Sequence, residues 1–452
     1  MLFYTLAKPL VQVALRVFFR RIEVRHAERL ALPGPLLLAG NHPNTLMDPL
    51  LVAVNRRQPI AFLAKSTFFK NPITRAIFES GNSIPIYRRQ DAEAGEGPAT
   101  PEQLTAQNEA TFGRCYDYLG KGGTVMIFPE GTSVAERKLR PLKTGAARIA
   151  LGAEARHGFK LGLHVLPVAI NYFDPSRFRS DVLLNVAPPI VVAHYAEAYA
   201  QDPEAAADAL TEAIRQALER RLVISRDAAE DELVQQIERT FGDHLIPDDD
   251  PSTLYDNFQL SQTLLTAVAW FERHAPDRLA AMRTQLETYL QALRTHRLTD
   301  EALDSQRRGT VAGVLNLLLG WPLWLYGLIN NYLPYKVPSM VAQRATKEVE
   351  FVAPIMMVVG MLTFPLAYAL QGAAVFHFTQ NTWLTAGYLL SLPIAGFYAL
   401  SYWETLAGRL RRLRALRLFR SQPALGRELL RQRAAIVAQL EEARQAYLAK
   451  RD

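Results

Sequence analysis

The chain has 452 residues, of which 49% are hydrophobic and 21% charged, and its formal net charge is +7. A length that allows roughly two to four structural units with buried cores excludes a peptide hormone or a disordered tail. The single cysteine, Cys115, excludes an internal disulfide and a cluster of cysteine ligands, and it favours a reducing, cytoplasmic environment for the soluble part.

The first 21 residues predict an amphipathic helix at a membrane surface. Residues 2–19 are mostly apolar but include Lys8 and Arg16, and two arginines follow. A signal peptide has its basic residues first and a small-residue cleavage site afterwards, which is not the pattern here. Residues 1–21 are therefore predicted to form an interfacial membrane anchor.

The next segment, residues 22–202, is predicted to be an α/β domain with a mixed sheet flanked by helices. Short apolar runs alternate with helical stretches, as they do in α/β folds. The runs predicted as strands include residues 35–39, 83–87, 124–128, 165–170 and 182–186.

Residues 203–305 predict an all-α region. Residues 203–241 and 252–297 are rich in Ala, Glu, Leu, Arg and Gln at helical periodicity. Three aspartates between two prolines, at 247–251, predict the linker between these two stretches. No motif in this region indicates a role.

Residues 306–403 predict a membrane region. The fifty-three residues between Glu350 and Glu404 contain no Lys, Arg, Asp or Glu. They divide into two predicted transmembrane helices, 351–370 and 382–403, each with the ~20 residues needed to cross the hydrocarbon. The turn between them lacks Lys and Arg while both outer flanks carry them, so the hairpin is predicted to begin and end in the cytoplasm.

A third apolar stretch, residues 309–335, has basic residues at both ends, so both ends resemble cytoplasmic flanks. Gly320 and Pro322 lie near its middle, where proline removes a helical hydrogen bond and favours a break. A re-entrant or interfacial helix pair is therefore slightly favoured over a helix that spans the whole membrane.

Residues 404–452 predict a basic, cytoplasmic, helical tail. From residue 406 onward there are twelve Lys plus Arg and four Asp plus Glu, a surplus of eight that accounts for the net charge of the chain. Six arginines between Arg409 and Arg420 alternate with leucines, a pattern that favours contact with anionic lipid, although a solvated helix is the alternative. Since these residues follow a membrane segment and no nucleic-acid module is recognised, no nucleic acid partner is predicted.

A histidine and an aspartate follow the first apolar run. His42 and Asp48 lie in the block GNHPNTLMDP at 40–49. A histidine at a strand end and an acid less than two turns later can converge, so that the acid orients the ring while the other ring nitrogen takes a proton. Taken alone, the same spacing also suits a polar turn capped by Asn44 and Asp48.

A second polar block, FPEGTS at 128–133, follows another predicted strand. A flexible turn at Gly131 beside hydroxyls and basic side chains can bring donors to an anionic group, although a generic glycine turn is the alternative. The basic residues downstream are Arg137, Lys138, Arg140 and Lys143.

Four blocks in order resemble the motifs of the glycerophospholipid acyltransferase superfamily of the phosphatidic-acid-synthesis type. Residues 41–48 resemble its first motif and 128–133 its third. IPIYR at 84–88 resembles the second motif, which ends in a phosphate-binding arginine, and VLPV at 165–168 resembles the fourth.

The spacing of the first motif resembles one branch of that superfamily. Most members separate the His and Asp by four residues, whereas five intervene here, as in the fungal-type glycerol-3-phosphate and dihydroxyacetone-phosphate acyltransferases. The blocks at 139–143, 171–173 and 178–180 resemble the same branch. The resemblance covers about residues 20 to 200 and extends to a hydrophobic C-terminal half.

The resemblance implies roles for individual residues. His42 would be the general base on an acceptor hydroxyl and Asp48 would orient its ring, without a covalent intermediate. Arg88, helped by Lys143 or Arg137, would bind the phosphate of the acceptor. The other implied contacts are Asn41, Glu130, Gly131 and Thr132 on the acceptor side and Pro167 near the acyl chain.

The implied reaction moves a fatty acyl group from acyl-CoA or acyl-carrier protein to the sn-1 hydroxyl of glycerol 3-phosphate, with no bound cofactor and no metal. It would occur at the cytoplasmic face of a membrane, the plasma membrane if the chain is bacterial, with membrane lipids and acyl-carrier protein as candidate partners. Two alternatives stay open: lysophosphatidate or another lysophospholipid as acceptor, and a non-catalytic lipid-binding membrane scaffold. The intact motif residues His42, Asp48, Arg88 and Glu130 disfavour the scaffold.

Overall fold

The computed structural model describes residues 2–88, 91, 93, 100–245, 253–303 and 317–448. The predicted linker at 247–251 and residues 309–316 of the third apolar stretch lie outside the described residues. The chain divides into two compact units, one formed by Met1–Ile224 with Ala342–Met357 and the other by Ser225–Val341 with Val358–Asp452.

The first unit is built on one mixed sheet of eight strands. Across the sheet the order is β1-β7-β6-β2-β5-β3-β4, and β8 pairs with β6. Strands β7 and β8 are antiparallel to β6, whereas the other neighbours are parallel. The mixed α/β class predicted from the sequence is confirmed. The strands are β1 (Arg21–Arg25), β2 (Leu36–Gly40), β3 (Ile60–Lys65), β4 (Ser83–Ile86), β5 (Thr124–Ile127), β6 (His164–Tyr172), β7 (Asp181–Val186) and β8 (Ile190–Val191).

The centre of the sheet consists of apolar strands buried on both faces. Every residue of β2 and β5 is buried, and the two strands pair in parallel. Strands covered on both faces read as continuous apolar runs, which is why the sequence predicts them well. Strand β1 lies outside the predicted runs because it is an edge strand that alternates arginine and glutamate with apolar residues.

Helices cover this sheet and extend the first unit beyond the predicted boundary at residue 202. The Asn171 side chain accepts from Val223 N at 3.0 Å and donates to Arg221 O at 2.9 Å, and the unit ends at Ile224. The helices are α1 (Leu2–Phe18), α2 (Ala27–Leu30), α3 (Met47–Asn55), α4 (Pro72–Ser80), α5 (Pro101–Gly120), α6 (Gly145–Arg156), α7 (Ala196–Gln201) and α8 (Pro203–Glu219). Helix α8 therefore packs on the α/β domain predicted for 22–202, although helical periodicity alone assigned it to the following region.

Helix α1 has apolar side chains on both its buried and its exposed faces. Leu15 and Phe18 are buried, whereas Leu6 and Leu10 are 66% and 58% exposed. An exposed apolar face of this kind suits a lipid surface, so the interfacial anchor stays a prediction with this support.

The second unit contains the predicted all-α region from residue 225 onward and most of the C-terminal part. The buried Asp300 accepts from the Tyr289 hydroxyl at 2.5 Å and from Arg433 Nε at 2.9 Å, so it joins the helical region to the tail. The helices from residue 225 onward, two of which extend into the first unit, are α9 (Ala228–Leu245), α10 (Leu254–His274), α11 (Pro276–Thr295), α12 (Asp300–Leu303), α13 (Trp321–Ala345), α14 (Val349–Thr379), α15 (Thr382–Ser421) and α16 (Pro423–Leu448).

Two of the described helices, α14 and α15, are long and apolar enough to cross a membrane. Most of their apolar surface is exposed, which is compatible with a membrane location. Helix α13 begins directly after a bend at Gly320 and continues to Ala345. Its buried Asn331 donates to Leu392 O at 3.1 Å and accepts from the Tyr368 hydroxyl at 2.6 Å, which satisfies a polar group between three apolar helices.

Candidate active site

Two loops that carry the predicted motifs meet at one edge of the sheet. Strand β2 ends at Gly40, directly before Asn41 and His42, and β5 ends just before the block 128–133. The two strands are parallel neighbours in which Ala39 pairs with Ile127. Because the carboxyl ends of parallel strands lie at the same edge, both motifs open there, where α/β proteins commonly bind ligands.

His42 and Asp48 form a hydrogen-bonded pair. His42 Nδ1 lies 2.8 Å from Asp48 Oδ2, and the Asp48 side chain is fully buried in the first turn of α3. Since a carboxylate only accepts hydrogen bonds, Nδ1 donates the proton and Nε2 carries the lone pair. The imidazole is thereby arranged as a base directed by an acid, as the motif predicts.

The Asp48 carboxylate is held by two further donors. Asn44 N donates to Oδ2 at 2.8 Å, and the Tyr172 hydroxyl donates to Oδ1 at 2.7 Å. Burial raises the pKa of Tyr172 well above its usual value, and the neighbouring Asp48 charge raises it further, so the phenol stays a donor. In the sequence, Tyr172 belongs to the block at 171–173 that resembles the fungal branch, and that resemblance does not indicate a contact with Asp48.

Phe128 stacks on the His42 ring. The ring centroids are 3.9 Å apart and the planes are inclined by 11°. The contact and the Asp48 hydrogen bond together fix the orientation of the imidazole, whose side chain is 20% exposed. Phe128 was predicted as the end of a strand, and its position next to the base follows from the pairing of β2 and β5.

The Glu130 side chain binds backbone groups. Its two carboxylate oxygens accept from His42 N at 2.8 Å and from Arg140 N at 3.1 Å, and the residue is 8% exposed. Burial raises the pKa of Glu130, an effect that these two backbone donors oppose. The Glu130 side chain therefore joins the two motif loops, and its implied contact with the acceptor stays a prediction.

Further contacts join the same two loops. Thr45 N donates to the Ser133 hydroxyl at 2.9 Å, and Val134 N donates to His42 O at 3.2 Å. Together with Glu130, these bonds fix the backbone on both sides of His42. His42 is thus positioned by residues of the third motif as well as by residues of the first motif, to which it belongs.

Asn41 also has its side chain engaged within the protein. Its amide donates to Ile170 O at 3.0 Å and accepts from Ile170 N at 2.8 Å, and the residue is buried. Both polar atoms of this side chain pair with β6, so it fixes the start of the His42 loop. The implied contact between Asn41 and the acceptor stays a prediction beside this positioning contact.

Two predicted cationic side chains converge on Gly131. Arg88 Nη1 donates to Gly131 O at 3.0 Å, and a Cβ added to Gly131 would lie 2.7 Å from Lys143 Nζ. Gly131 has a φ of +71° and its N–H donates to Phe128 O at 3.0 Å, so the turn needs glycine for its backbone and for the approach of Lys143. Thr132 and Arg137 lie in the same loop and are half-buried.

Pro167 lies within the sheet rather than in a loop. It is buried in β6, where it pairs with Ala39 of β2, and its carbonyl accepts from Ala187 N at 2.9 Å. This position is three residues before Ile170, which binds Asn41. The role of Pro167 near an acyl chain stays a prediction.

Two charged residues that sequence reasoning did not select lie next to Arg88. Asp91 is 4% exposed and accepts from Arg88 Nε and Nη2, each at 2.9 Å, and Lys65 Nζ lies 3.2 Å from its Oδ1. The only sequence signal for Asp91 is its spacing of three from Arg88. Lys65 is the last residue of β3, so its place at the carboxyl edge becomes evident once that strand is assigned.

The family resemblance predicted from the four motifs is confirmed. Residues 21–171 match the Acyltransferase family. This range contains β1 to β5, all of β6 except Tyr172, the His42–Asp48 pair, Arg88 and the Glu130 loop.

Curated proteins similar to the chain include two from Saccharomyces cerevisiae. Glycerol-3-phosphate O-acyltransferase 1 is 24% identical over 46% of this chain and 37% of its own length. Glycerol-3-phosphate O-acyltransferase 2 is 38% identical over 25% of this chain and 15% of its own length. The resemblance to the fungal branch is thereby confirmed.

A bacterial relative has a different acceptor in its name. The 1-acyl-sn-glycerol-3-phosphate acyltransferase of Borreliella burgdorferi is 22% identical over 40% of this chain and 63% of its own length. The chain thus spans less than two thirds of each of these three relatives. It is related both to glycerol-3-phosphate and to 1-acylglycerol-3-phosphate acyltransferases.

Proposed function

We propose that this chain, whose residues 21–171 form a domain of the acyltransferase family, is a membrane-bound glycerolipid O-acyltransferase that acylates the sn-1 hydroxyl of glycerol 3-phosphate. The observation that carries the proposal is the oriented His42–Asp48 pair at the same edge of the sheet as the cations around Gly131. A base and an anion-binding group at one edge suit an acceptor that has both a hydroxyl and a phosphate.

His42 is the general base in this proposal. Its Nε2 takes the proton of the acceptor hydroxyl while the hydroxyl oxygen attacks the thioester carbonyl carbon. The tetrahedral intermediate then expels the thiolate, which receives the proton from His42, and the new ester remains on the acceptor. Asp48 stabilises the imidazolium that exists between the two proton transfers.

Arg88 and Lys143 bind the acceptor phosphate in this proposal. Both side chains converge on Gly131, and a guanidinium with several N–H donors suits a phosphate monoester. Arg137, in the same loop, is a third candidate for binding the acceptor phosphate. Glu130 and Asn41 contribute by fixing the loop of the base, since their side chains are bound to backbone groups.

The acyl donor is proposed to be acyl-CoA or acyl-carrier protein, and the site is proposed to face the cytoplasm. Two apolar helices, α14 and α15, support a membrane location. The excess of Lys and Arg on the flanks of these helices supports the cytoplasmic orientation.

The test is an assay of the purified full chain in detergent or lipid with labelled acyl-CoA and acyl-carrier protein as donors. Glycerol 3-phosphate, dihydroxyacetone phosphate and lysophosphatidate are supplied separately as acceptors, and His42→Ala is the negative control. We expect His42-dependent acylation of glycerol 3-phosphate. If the wild-type chain acylates none of these acceptors, the catalytic proposal fails and the lipid-binding scaffold replaces it.

The second candidate function is acylation of lysophosphatidate. It is favoured by the similarity to a Borreliella 1-acyl-sn-glycerol-3-phosphate acyltransferase. The same base and the same cations serve either acceptor, because both carry a phosphate monoester and a free hydroxyl. In the assay above, a kcat/KM at least tenfold higher for lysophosphatidate than for glycerol 3-phosphate would favour this candidate.

A further inference from the structure

Asp91 is a buried carboxylate bound to two cationic side chains. Only 4% of its surface is exposed. It accepts from Arg88 Nε and Nη2, each at 2.9 Å, and pairs with Lys65 Nζ at 3.2 Å. Asp91 therefore connects the arginine expected to bind phosphate with a lysine that no motif identified.

The Arg88 guanidinium is held at two sides. Asp91 binds its Nε and Nη2 side, while Nη1 donates to Gly131 O at 3.0 Å. A planar group held by two separate partners has a fixed orientation. These three contacts use three of the five N–H groups of a guanidinium, so the contacts hold the group without using all of its donors.

The sheet brings the two cations together. Lys65 ends β3, Arg88 follows β4 by two residues, and the two strands pair in parallel with Lys65 opposite Ile86. Gly131 follows β5, the other neighbour of β3. The three positions consequently lie at the carboxyl edge of the sheet, at which His42 also lies.

We propose that Asp91 is a positioning residue for a phosphate monoester, and that Lys65 contributes a second cation beside Arg88 to the same anion site. This inference rests on the proposed function, because it assigns the phosphate of the acceptor to these cations. Asp91 keeps the two side chains side by side before the acceptor arrives, so that less side-chain freedom is lost when the phosphate binds.

The side chains around Asp91 stabilise the charged form of its carboxyl group. Burial alone would raise its pKa, but the hydrogen bonds and charges of Arg88 and Lys65 outweigh burial and lower it. The carboxylate is therefore ionised at neutral pH. Removing the charge leaves two cations close together without the group that orders them. An asparagine amide would also direct its own N–H groups at the N–H donors of Arg88 and Lys65, and two donors cannot form a hydrogen bond with each other.

The experiment compares Asp91→Asn with wild type in the full-length protein. We expect the KM for the phosphorylated acceptor to rise about tenfold, while kcat at saturating acceptor and the KM for the acyl donor stay within about threefold. Lys65→Ala should raise the acceptor KM in the same direction. Asp117→Asn is the matched control, since it removes an exposed ion pair between Asp117 of α5 and Arg156 of α6 and should leave all three constants unchanged.

A variant that lacks both cations separates positioning from general support of the fold. In a background that combines Arg88→Ala with Lys65→Ala, Asp91→Asn should change the acceptor KM by less than about twofold, because both side chains that it positions are gone. Independent tenfold effects in the two backgrounds would contradict the proposal. So would a lower acceptor KM in Asp91→Asn, because that result means that the carboxylate competes with the phosphate.

Binding gives a readout that does not depend on turnover. Isothermal titration of glycerol 3-phosphate and of inorganic phosphate should show weaker binding to Asp91→Asn than to wild type and to Asp117→Asn. If wild type binds phosphate more tightly than Asp91→Asn does but acylates no acceptor, the proposed function fails and this inference stands. If wild type binds neither compound, the inference fails. Should Asp91→Asn not fold, Asp91→Glu keeps the charge on a longer arm and is expected to give a smaller rise in the acceptor Kd.

Discussion

The Thr45 hydroxyl donates to the Glu350 carbonyl at 3.0 Å, which joins the loop that carries His42 to the first turn of α14. These residues are 305 positions apart, yet both belong to the first compact unit. The apolar part of α14 begins at Phe351, so the base lies next to the start of a helix that we propose crosses the membrane.

The first prediction concerns the base. His42→Ala should lower kcat by ~10²- to 10⁴-fold, the usual contribution of a general base, while the protein stays folded and bound to membranes. Asp48→Asn should also lower kcat, because an amide cannot stabilise the imidazolium. Steady-state kinetics together with circular dichroism test this. Activity of His42→Ala within threefold of wild type would overturn the catalytic assignment.

The second prediction concerns the donor behind Asp48. Tyr172→Phe removes a 2.7 Å hydrogen bond to a buried carboxylate, and bonds to charged groups typically contribute about 1.5–3 kcal/mol. We expect a lower free energy of unfolding by about that amount and a lower kcat, with the KM values little changed. Chemical denaturation and kinetics measure both. Tyr199→Phe, on α7, is the control, and an equal effect of the two substitutions would contradict the role of Tyr172.

The third prediction separates Glu130 from Arg88. Glu130→Gln keeps the size of the side chain but loses one of two acceptors for backbone N–H groups, so the loop of His42 is held less well and kcat should fall. Arg88→Ala should instead raise the acceptor KM far more than the donor KM. A Glu130→Gln variant with normal kcat and a raised acceptor KM would show that Glu130 contacts the acceptor after all.

The fourth prediction concerns Cys115. Burial raises its pKa from 9.0 to about 12, and the thiolate is the reactive form. At pH 8 the thiolate fraction is therefore much lower in the folded chain than in the unfolded chain. Iodoacetamide should label Cys115 only after denaturation. Rapid labelling of the native protein at pH 8 would contradict this burial.

The fifth prediction concerns topology. In a Cys115→Ala background, a cysteine at Gln380, between α14 and α15, should react with an impermeant reagent from outside the cell, whereas one at Ser421 should not. The reason is the distribution of Lys and Arg around these helices.

A cysteine at Ser339, in α13, is the more informative probe in the same experiment. If an impermeant reagent added outside the cell does not label this cysteine, the result agrees with a re-entrant or interfacial location of residues 309–335. Labelling from outside would overturn the topology with two spans.

The sequence predicted the parts of the site that depend on local order along the chain. The central strands are apolar runs, and His42 and Asp48 follow one of them within a single turn and helix start. A hydrogen bond between residues six apart is therefore predictable from their spacing. Gly131 was predictable for a similar reason, since its positive φ favours glycine.

The sequence did not predict contacts that depend on which strands are neighbours. Glu130 and Asn41 carry typical substrate-binding groups, but in the folded chain their side chains face backbone N–H groups of adjacent segments. Tyr172 reaches Asp48 across the sheet, 124 residues away. Such partners are decided by strand order and register, neither of which is encoded in a single local pattern.

Helix α15 is a continuous rod of 40 residues, whatever the composition of its two halves. At 1.5 Å per residue it is about 60 Å long, twice the ~30 Å of hydrocarbon that its apolar half would cross. The half that carries Arg409 to Arg420 thus projects about 30 Å from the hydrocarbon when the helix stands upright. Electrostatic attraction decays over ~8 Å at physiological ionic strength, so Arg409 is near enough to feel lipid charge whereas Arg420 is not. In an upright helix, the arginines of the first turns after the apolar half would therefore be the ones that contact lipid charge, and those near Ser421 would not.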